Sequence, residues 1–123
     1  MASRHVLSFK YAFGGIWTAF KEEPHLKFHF LFAIFVMAAS FVLNLSLFEQ
    51  IIVVLVIGLV IGLELTNTAI ETIVDSFTSE SHPSAKKAKD VSAGAVLIIC
   101  LIAAIIGVVI FLPHLLTFLA KMG

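Results

Sequence analysis

Three acidic side chains and one amide recur at helical spacing near the middle of the sequence. The run 64–75 reads Glu-Leu-Thr-Asn-Thr-Ala-Ile-Glu-Thr-Ile-Val-Asp, with four oxygen-bearing side chains at intervals of three, four and four positions: Glu64, Asn67, Glu71 and Asp75. At about 100° per residue, these side chains fall within about 80° of one another around a helix, so they share one face. Carboxylate and amide oxygens grouped in this way could bind a cation, exchange protons or hold a polar substrate.

This acidic face continues directly from the uncharged segment 51–63. An ionised group inside a bilayer costs at least about 2.5 kcal/mol on insertion scales, so several of them need a functional reason. The simpler explanation is a helix end that emerges into water, but such an end is polar around its whole circumference. Here the intervening side chains are apolar: Ala69, Ile70, Ile73, Val74 and Phe77. We therefore expect the acidic face to carry the function.

The composition is that of an integral membrane protein. Of 123 residues, 60% are hydrophobic and 13% are charged, and the mean hydropathy is +1.09. Soluble domains, in contrast, have about 25% charged residues. The formal net charge is zero and the basic residues form no stripe with interleaved aromatic side chains, so we expect no nucleic-acid partner. The single cysteine, Cys100, excludes an intrachain disulfide.

Three apolar segments are long enough to cross a bilayer, for which a helix needs about 20 residues. The predicted spans are about 28–45, 51–77 and 91–112. A short polar connection over 44–50 joins the first two spans, and a polar loop over 79–90 joins the second to the third. Pro113 is expected to end the third span, because proline removes a backbone donor and clashes with the preceding helical turn.

Basic residues are distributed unevenly between the two sides of this predicted bundle. Four precede the first span, none lies in the first connection, three lie in the second and one follows the third span. Because Lys and Arg concentrate in cytoplasmic segments, we expect a cytoplasmic N-terminus and a C-terminus outside. The acidic face then lies at the cytoplasmic end of the second span, close to Glu22 and Glu23.

The segment before the first span has the pattern of an amphipathic helix. Over 6–20, large apolar side chains recur at helical intervals: Val6, Phe9, Phe13, Ile16, Trp17 and Phe20. We expect this helix to lie on the cytoplasmic membrane surface, with Trp17 in the interfacial belt. Since no internal repeat or low-complexity segment is present, residues 1–123 are interpreted as one membrane-embedded domain.

Two features within the spans are given structural interpretations. Gly58 and Gly62 have the spacing of a G-x-x-x-G motif, which favours close packing of membrane helices. His29 stands at the start of the first span and could accept a proton, but it is interpreted as an interfacial side chain and left outside the site.

The mixture of carboxylates, an amide and a lysine at a membrane interface suggests a divalent cation with a phosphorylated ligand. Magnesium is usually held by one or two carboxylates together with substrate phosphates. Phosphoryl transfer also needs a group that accepts the proton of the attacking hydroxyl. Four residues could divide these tasks: Glu64, Asn67, Glu71 and Lys89. The sequence has no G-x-x-x-x-G-K-[ST] and no G-x-G-x-x-G motif, so a kinase would need a different architecture.

A different class of function remains open, because a small oligomeric channel or ion-coupled transporter also places acidic residues along a helix. Two features disfavour it. The acidic residues cluster at one interface instead of being distributed through the membrane, and the third span has no polar position deep within it beyond Ser92 and Cys100.

The block 64–75, followed by Ala88-Lys89-Asp90 and an apolar helix, resembles the bacterial integral-membrane diacylglycerol kinase and undecaprenol kinase family. The resemblance covers nearly the whole chain, including the amphipathic start, Glu23 and the three spans. It implies a multi-pass protein of the bacterial inner or plasma membrane that uses ATP and Mg²⁺ to phosphorylate a membrane lipid alcohol. It also implies a homotrimer whose active sites are shared between neighbouring subunits at the cytoplasmic interface.

The resemblance also implies roles for individual residues. Glu64 matches the general base that takes the proton of the lipid hydroxyl, and Asn67 matches a polar positioning group beside it. Glu71 and Glu23 resemble the magnesium ligands, although Glu22 is adjacent to Glu23 and is the alternative. The nucleotide site is expected to involve four side chains: Glu71, Asp75, Lys89 and Asp90.

The accepted lipid is a finer question, because the family divides between two alcohols. The residues after Lys89-Asp90 read Val91-Ser92-Ala93-Gly94, without the serine that the diacylglycerol branch has at the position of Ala93. This block resembles the undecaprenol kinase branch, so the expected product is undecaprenyl phosphate. Diacylglycerol, with phosphatidic acid as the product, remains the alternative, since no physical principle applied to the sequence separates the two alcohols.

Overall fold

The structure is a computed structural model that describes residues 2–78 and 81–123. This part of the chain is helical, with four helices in chain order: α1 (Ala2–Glu22), α2 (Pro24–Val42), α3 (Leu47–Phe77) and α4 (Pro83–Met122). The last three are long and apolar enough to cross a membrane. The all-α membrane class and the three spans predicted from the sequence are therefore confirmed.

A single residue, Glu23, separates α1 from α2. Pro24 is the first residue of α2, and Glu23 has extended backbone angles, φ −104° and ψ 109°. The ring of a proline disfavours the helical conformation of the preceding residue, and proline itself suits the first helical turn. Pro24 therefore ends α1 and starts α2, which moves the first span about one turn towards the N-terminus of its predicted range of 28–45.

The connection between α2 and α3 is a tight turn with a strong helix start. Asn44 has a positive φ of 55°, which asparagine tolerates better than most residues. Ser46 then caps α3: its hydroxyl accepts a bond from the Glu49 backbone N–H at 3.2 Å, and the Glu49 carboxylate accepts one from the Ser46 N–H at 2.8 Å. This capping box starts α3 at Leu47, four residues before the predicted position.

The polar loop expected over 79–90 is wrong for most of its length, because α4 begins at Pro83. Proline at the first helical position, followed by good helix formers, favours this early start. Lys86 and Asp90 add an ion pair one turn apart, with Nζ 2.5 Å from the carboxylate. Ser79 and Glu80 lie outside the described residues.

The prediction that Pro113 ends the third span is also wrong. Helix α4 continues through Pro113 to Met122, so it has 40 residues. Proline is tolerated in membrane helices where other groups compensate for its missing donor. The Thr117 hydroxyl donates to the carbonyl of Pro113 at 3.0 Å, whereas the carbonyl that loses its helical donor is that of Val109, four residues before the proline.

Helix α3 lies at the centre of the packing. It contacts α4 along much of its length, packs against α2 and also touches α1, which otherwise rests on α2. Few side chains are buried within the described chain, and those that are fall into two groups: the hydrophobic Leu26, Leu45, Val53 and Ala85, and the polar Ser40, Glu64 and Asn67. Large apolar side chains face outwards on all four helices, as expected for a protein whose solvent is lipid.

Candidate active site

Two buried polar residues of α3 form the centre of the site. Glu64 is 7% exposed and Asn67, one turn further on, is 9% exposed. The Oδ1 atom of Asn67 has no hydrogen-bond partner among the described residues. A buried polar atom without a partner costs about 1–3 kcal/mol, so this position is occupied at the expense of stability. The sequence-predicted pairing of a carboxylate with an amide on one helical face is therefore present. The amide oxygen still has the capacity to accept a hydrogen bond from a ligand.

Asn67 also lines a groove between α3 and α4. This groove has a volume of about 520 Å³, and its polar lining includes Ser84, Lys87 and Ser92. A polar ligand has a route to the amide from this side.

His29 on α2 also approaches Glu64. Its Nε2 atom lies 4.0 Å from Oε2 of Glu64, and the two side chains are 20% and 10% exposed. This distance suits an ion pair when the imidazole is protonated but is too long for a hydrogen bond. The sequence interpretation of His29 as an interfacial side chain missed this contact. The helical spacing of His29 from Leu26 and Ser40 could have predicted it, since all three lie on one face of α2. Leu26 and Ser40 are fully buried, so this face packs on the bundle.

A second polar contact joins α3 to α4 near the C-terminal end of α3. Lys89 Nζ lies 2.8 Å from Oδ1 of Asp75, with side chains that are 32% and 55% exposed. The structure therefore brings together two of the residues expected at the nucleotide site. The other two are Glu71, one turn before Asp75 on α3, and Asp90, which pairs with Lys86 on its own helix. An exposed ion pair contributes about 0–1 kcal/mol, so a charged ligand can replace the Lys86–Asp90 contact at little cost.

Counted along the chain, the two expected magnesium ligands lie beyond the Glu64–His29 contact in the same direction. Glu71 is seven residues beyond Glu64 on α3, and Glu23 is six residues before His29 on the antiparallel α2. At 1.5 Å per residue, these steps lead about 10 Å and about 9 Å in the same direction. Both side chains are partly buried, whereas Glu22 is exposed.

No three acidic, histidine or cysteine side chains converge on one point in the described parts of the chain. Two carboxylates are a sufficient number of protein ligands for Mg²⁺ nevertheless, because this ion is commonly bound by one or two carboxylates and completes its octahedron with phosphates and water. The donor set is thus compatible with a magnesium–nucleotide complex and not with a cage made by this chain alone.

An apolar groove leads towards Glu64 from the membrane. It has a volume of about 1030 Å³ and is bounded by α2, α3 and α4. Its lining is hydrophobic except for His29 and Cys100, and it begins at Phe28 and Ile61, the latter one turn before Glu64. The polar chemistry of the site therefore lies at the end of a surface suited to hydrocarbon.

Three helices able to span a membrane, with a buried carboxylate at the end of an apolar groove, suit a membrane enzyme acting on lipid. The model of the prokaryotic diacylglycerol kinase family matches residues 10–111. The chain belongs to this family of lipid kinases, which confirms the resemblance found in the sequence and favours an enzyme over the channel or transporter alternative.

Relatives of the chain bear two different names. It is 45% identical over 113 residues to the undecaprenol kinase of Bacillus subtilis, covering 92% of each chain. It is 37% identical over 118 residues to the diacylglycerol kinase of Synechocystis, covering 95% of this chain and 67% of that protein. A similarity of 32% over 105 residues links it to the diacylglycerol kinase of Haemophilus influenzae, covering 85% and 89%.

Proposed function

We propose that this protein transfers the γ-phosphate of ATP, in the presence of Mg²⁺, to the hydroxyl of undecaprenol. The observation that carries the proposal is the position of Glu64, a buried carboxylate at the end of an apolar groove, on the same helix as Asp75, which pairs with Lys89 of α4 about three turns further on. Undecaprenol is favoured over diacylglycerol by the 45% identity to a protein named undecaprenol kinase and by Ala93 after the Lys89-Asp90 pair.

In the proposed reaction, a carboxylate oxygen of Glu64 accepts the proton of the lipid hydroxyl. The lipid oxygen forms a bond to the γ-phosphorus while the bond from that phosphorus to the bridging oxygen of ATP breaks, and ADP leaves. The amide of Asn67 orients the reacting groups from the next turn of α3. Because a general base must be ionised and close to the hydroxyl, burial of Glu64 beside the groove serves both binding and proton transfer.

The nucleotide is proposed to lie at the ends of α3 and α4. Lys89 would contact the ATP phosphates, with Asp75 and Asp90 lining the site, and Glu71 and Glu23 would hold the magnesium ion. When bound, Mg²⁺ neutralises charge on the phosphates. Support comes from the Lys89–Asp75 contact, which fixes one charged group of each helix at this end.

We further propose that residues 1–123 form one lipid kinase domain that assembles as a homotrimer with shared active sites. One observation supports assembly. A Cβ atom added to Gly58 or to Gly62 would meet nothing within 4 Å in this chain, which leaves room for close approach of another helix.

The proposed topology places the N-terminus and the site in the cytoplasm and the C-terminus outside, in the inner or plasma membrane. Helix α1 would lie on the cytoplasmic surface, because its aromatic side chains Phe9, Tyr11, Phe13 and Trp17 are exposed in the structure. The basic residues of α1 and those near the N-terminal ends of α2 and α4 support this orientation.

Transfer of labelled γ-phosphate tests the proposal. Purified protein in micelles is given ATP and Mg²⁺ with undecaprenol, with diacylglycerol, and with both in competition. We expect faster labelling of undecaprenol. Faster labelling of diacylglycerol would overturn the choice of lipid, and labelling of neither lipid by folded protein would overturn the proposed function.

A further inference from the structure

His29 is the polar side chain through which the apolar groove meets Glu64. It lines the groove, and its Nε2 atom is 4.0 Å from Oε2 of Glu64. Of the 24 residues around the groove, Cys100 is the other side chain that is not a plain hydrocarbon or an aromatic ring. A hydroxyl at the head of a hydrocarbon chain in the groove would therefore meet the imidazole and the carboxylate together.

Glu64 has little other stabilisation. Among the described residues, the structure gives its carboxylate no hydrogen bond, and His29 is the one cationic or potentially cationic group within ion-pair distance. A carboxylate in apolar surroundings needs donors if it is to stay ionised and hold one rotamer. Helix α3 cannot supply backbone donors at this position, since its N–H groups are used within the helix.

We propose that His29 is a positioning residue for Glu64, which anchors the carboxylate so that one of its oxygens faces the hydroxyl of a lipid in the groove. This inference rests on the proposed function. The N–H at Nε2 of His29 donates to Oε2 of Glu64, and the remaining oxygen accepts the proton of the lipid hydroxyl. The 4.0 Å separation closes to hydrogen-bond distance when the lipid is bound, as catalytic contacts commonly do on substrate binding.

The first test is a pair of substitutions that differ in reach and polarity. His29→Leu removes the donor and keeps the bulk, so we expect kcat to fall about 10- to 100-fold, the loss typical of removing a group that orients a reactive side chain. The KM for ATP is expected to stay within about twofold, because the nucleotide lies on other residues. His29→Gln presents a donor close to the position of Nε2, and should restore kcat to within about threefold of the wild type.

His25→Leu is the matched control, since His25 is an exposed histidine one turn earlier on the same helix. We expect wild-type kcat for it. Should His29→Leu not fold, His29→Asn replaces it: the shorter amide is polar but does not reach Glu64, and is expected to show the same loss. Wild-type kcat in whichever of these two variants folds would overturn the inference.

A double-mutant cycle separates positioning from a merely structural effect. If His29 acts through Glu64, adding His29→Leu to Glu64→Gln should lower kcat by less than about twofold further, because the group it positions is already gone. Losses that multiply would overturn the inference. Wild-type protein that phosphorylates neither lipid would overturn the proposed function as well, whereas an active wild type with an equally active His29→Leu variant overturns this inference alone.

Discussion

Helix α3 carries Glu49 in its first turn and Glu64 near its middle, and the two carboxylates have opposite surroundings. Glu49 binds the Ser46 backbone N–H and stands 3.0–3.1 Å from Nε2 of His114 on α4. Glu64 has one potential partner, His29, at 4.0 Å, and its neighbour Asn67 has a buried oxygen without a partner in the described chain. The carboxylate of Glu49 is therefore committed to internal contacts, and that of Glu64 is not.

The difference separates a structural carboxylate from a reactive one. The contacts of Glu49 start α3 and join it to the last third of α4, so its oxygens are committed. Glu64 and Asn67 keep unused hydrogen-bonding capacity in a buried position, which lowers stability and is retained where a ligand completes the network. Residue type and helix are the same for Glu49 and Glu64, so the number of satisfied oxygens distinguishes the reactive carboxylate from the structural one.

The largest effect is expected from Glu64→Gln, which keeps the size of the side chain and removes its capacity to accept a proton. Turnover should fall about 10²- to 10⁴-fold, as is typical when a general base is lost. The affinity for ATP and Mg²⁺, measured by calorimetric titration, should remain near the wild-type value. Normal turnover would remove Glu64 from the role of base.

Glu71→Ala should lower activity less and change its metal dependence, because a proposed magnesium ligand is lost. We expect a rise of about 10- to 100-fold in the Mg²⁺ concentration needed for half-maximal rate. Glu23→Ala should act in the same direction, whereas Glu22→Ala, next to it but exposed, should not. An unchanged Mg²⁺ dependence in Glu71→Ala would contradict the ligand assignment, and a reversed pattern at 22 and 23 would exchange those two roles.

Lys89→Met should raise the KM for ATP about tenfold or more, since a hydrogen bond to a charged group contributes about 1.5–3 kcal/mol. Thermal unfolding should change little, because Asp75, the partner of Lys89, is 55% exposed and ion pairs with a solvated member contribute little to stability. Lys121→Met, at the far end of the same helix, serves as the control with normal KM. A lower thermal stability with an unchanged KM for ATP would show that Lys89 has a structural role only.

Asn67→Leu sharpens the comparison, because stability and activity should respond in opposite directions. Replacing a buried amide whose oxygen has no partner should leave the unfolding free energy unchanged or raise it by up to about 1–3 kcal/mol. The kcat should fall about three- to tenfold, as one orienting hydrogen bond to the reacting groups is lost. Denaturation in mixed micelles and steady-state kinetics measure the two quantities, and a destabilised but fully active variant would oppose this account.

Glu49→Gln should have the smallest effect on activity and act on stability alone. The charge that holds His114 is lost while the side chain keeps its shape, so the thermal midpoint should fall by a few degrees at most. Phosphate transfer at a temperature well below the midpoint should equal that of the wild type. A clear loss of kcat in a folded variant would mean that the contacts of Glu49 affect catalysis at Glu64.

Local sequence patterns were sufficient to predict the spans and the acidic face. Hydrophobic length gave three membrane helices, and the spacing from Glu64 to Asp75 placed the acidic side chains on one helix, because both signals depend on near neighbours along the chain. The boundaries were predicted less well. Pro24 and the Ser46–Glu49 capping box start their helices earlier than hydrophobicity alone suggests, and Pro113 is accommodated within α4.

Contacts between helices could not be predicted from the sequence. His29 meets Glu64, and Glu49 meets His114 across 65 positions, only because α2, α3 and α4 pack at particular rotations. No local pattern specifies those rotations. Sequence reading therefore grouped residues along one helix correctly but missed the partner that approaches from the next.

The most direct test compares Glu64→Gln and Glu49→Gln in one experiment, with labelled phosphate transfer to undecaprenol and thermal unfolding measured on the same preparations. The two substitutions make the same chemical change fifteen positions apart on α3. We predict that Glu64→Gln loses transfer and keeps its unfolding midpoint, while Glu49→Gln keeps transfer and unfolds earlier. Undiminished transfer by Glu64→Gln, or loss of transfer by folded Glu49→Gln, would contradict the assignment of Glu64 as the reactive carboxylate.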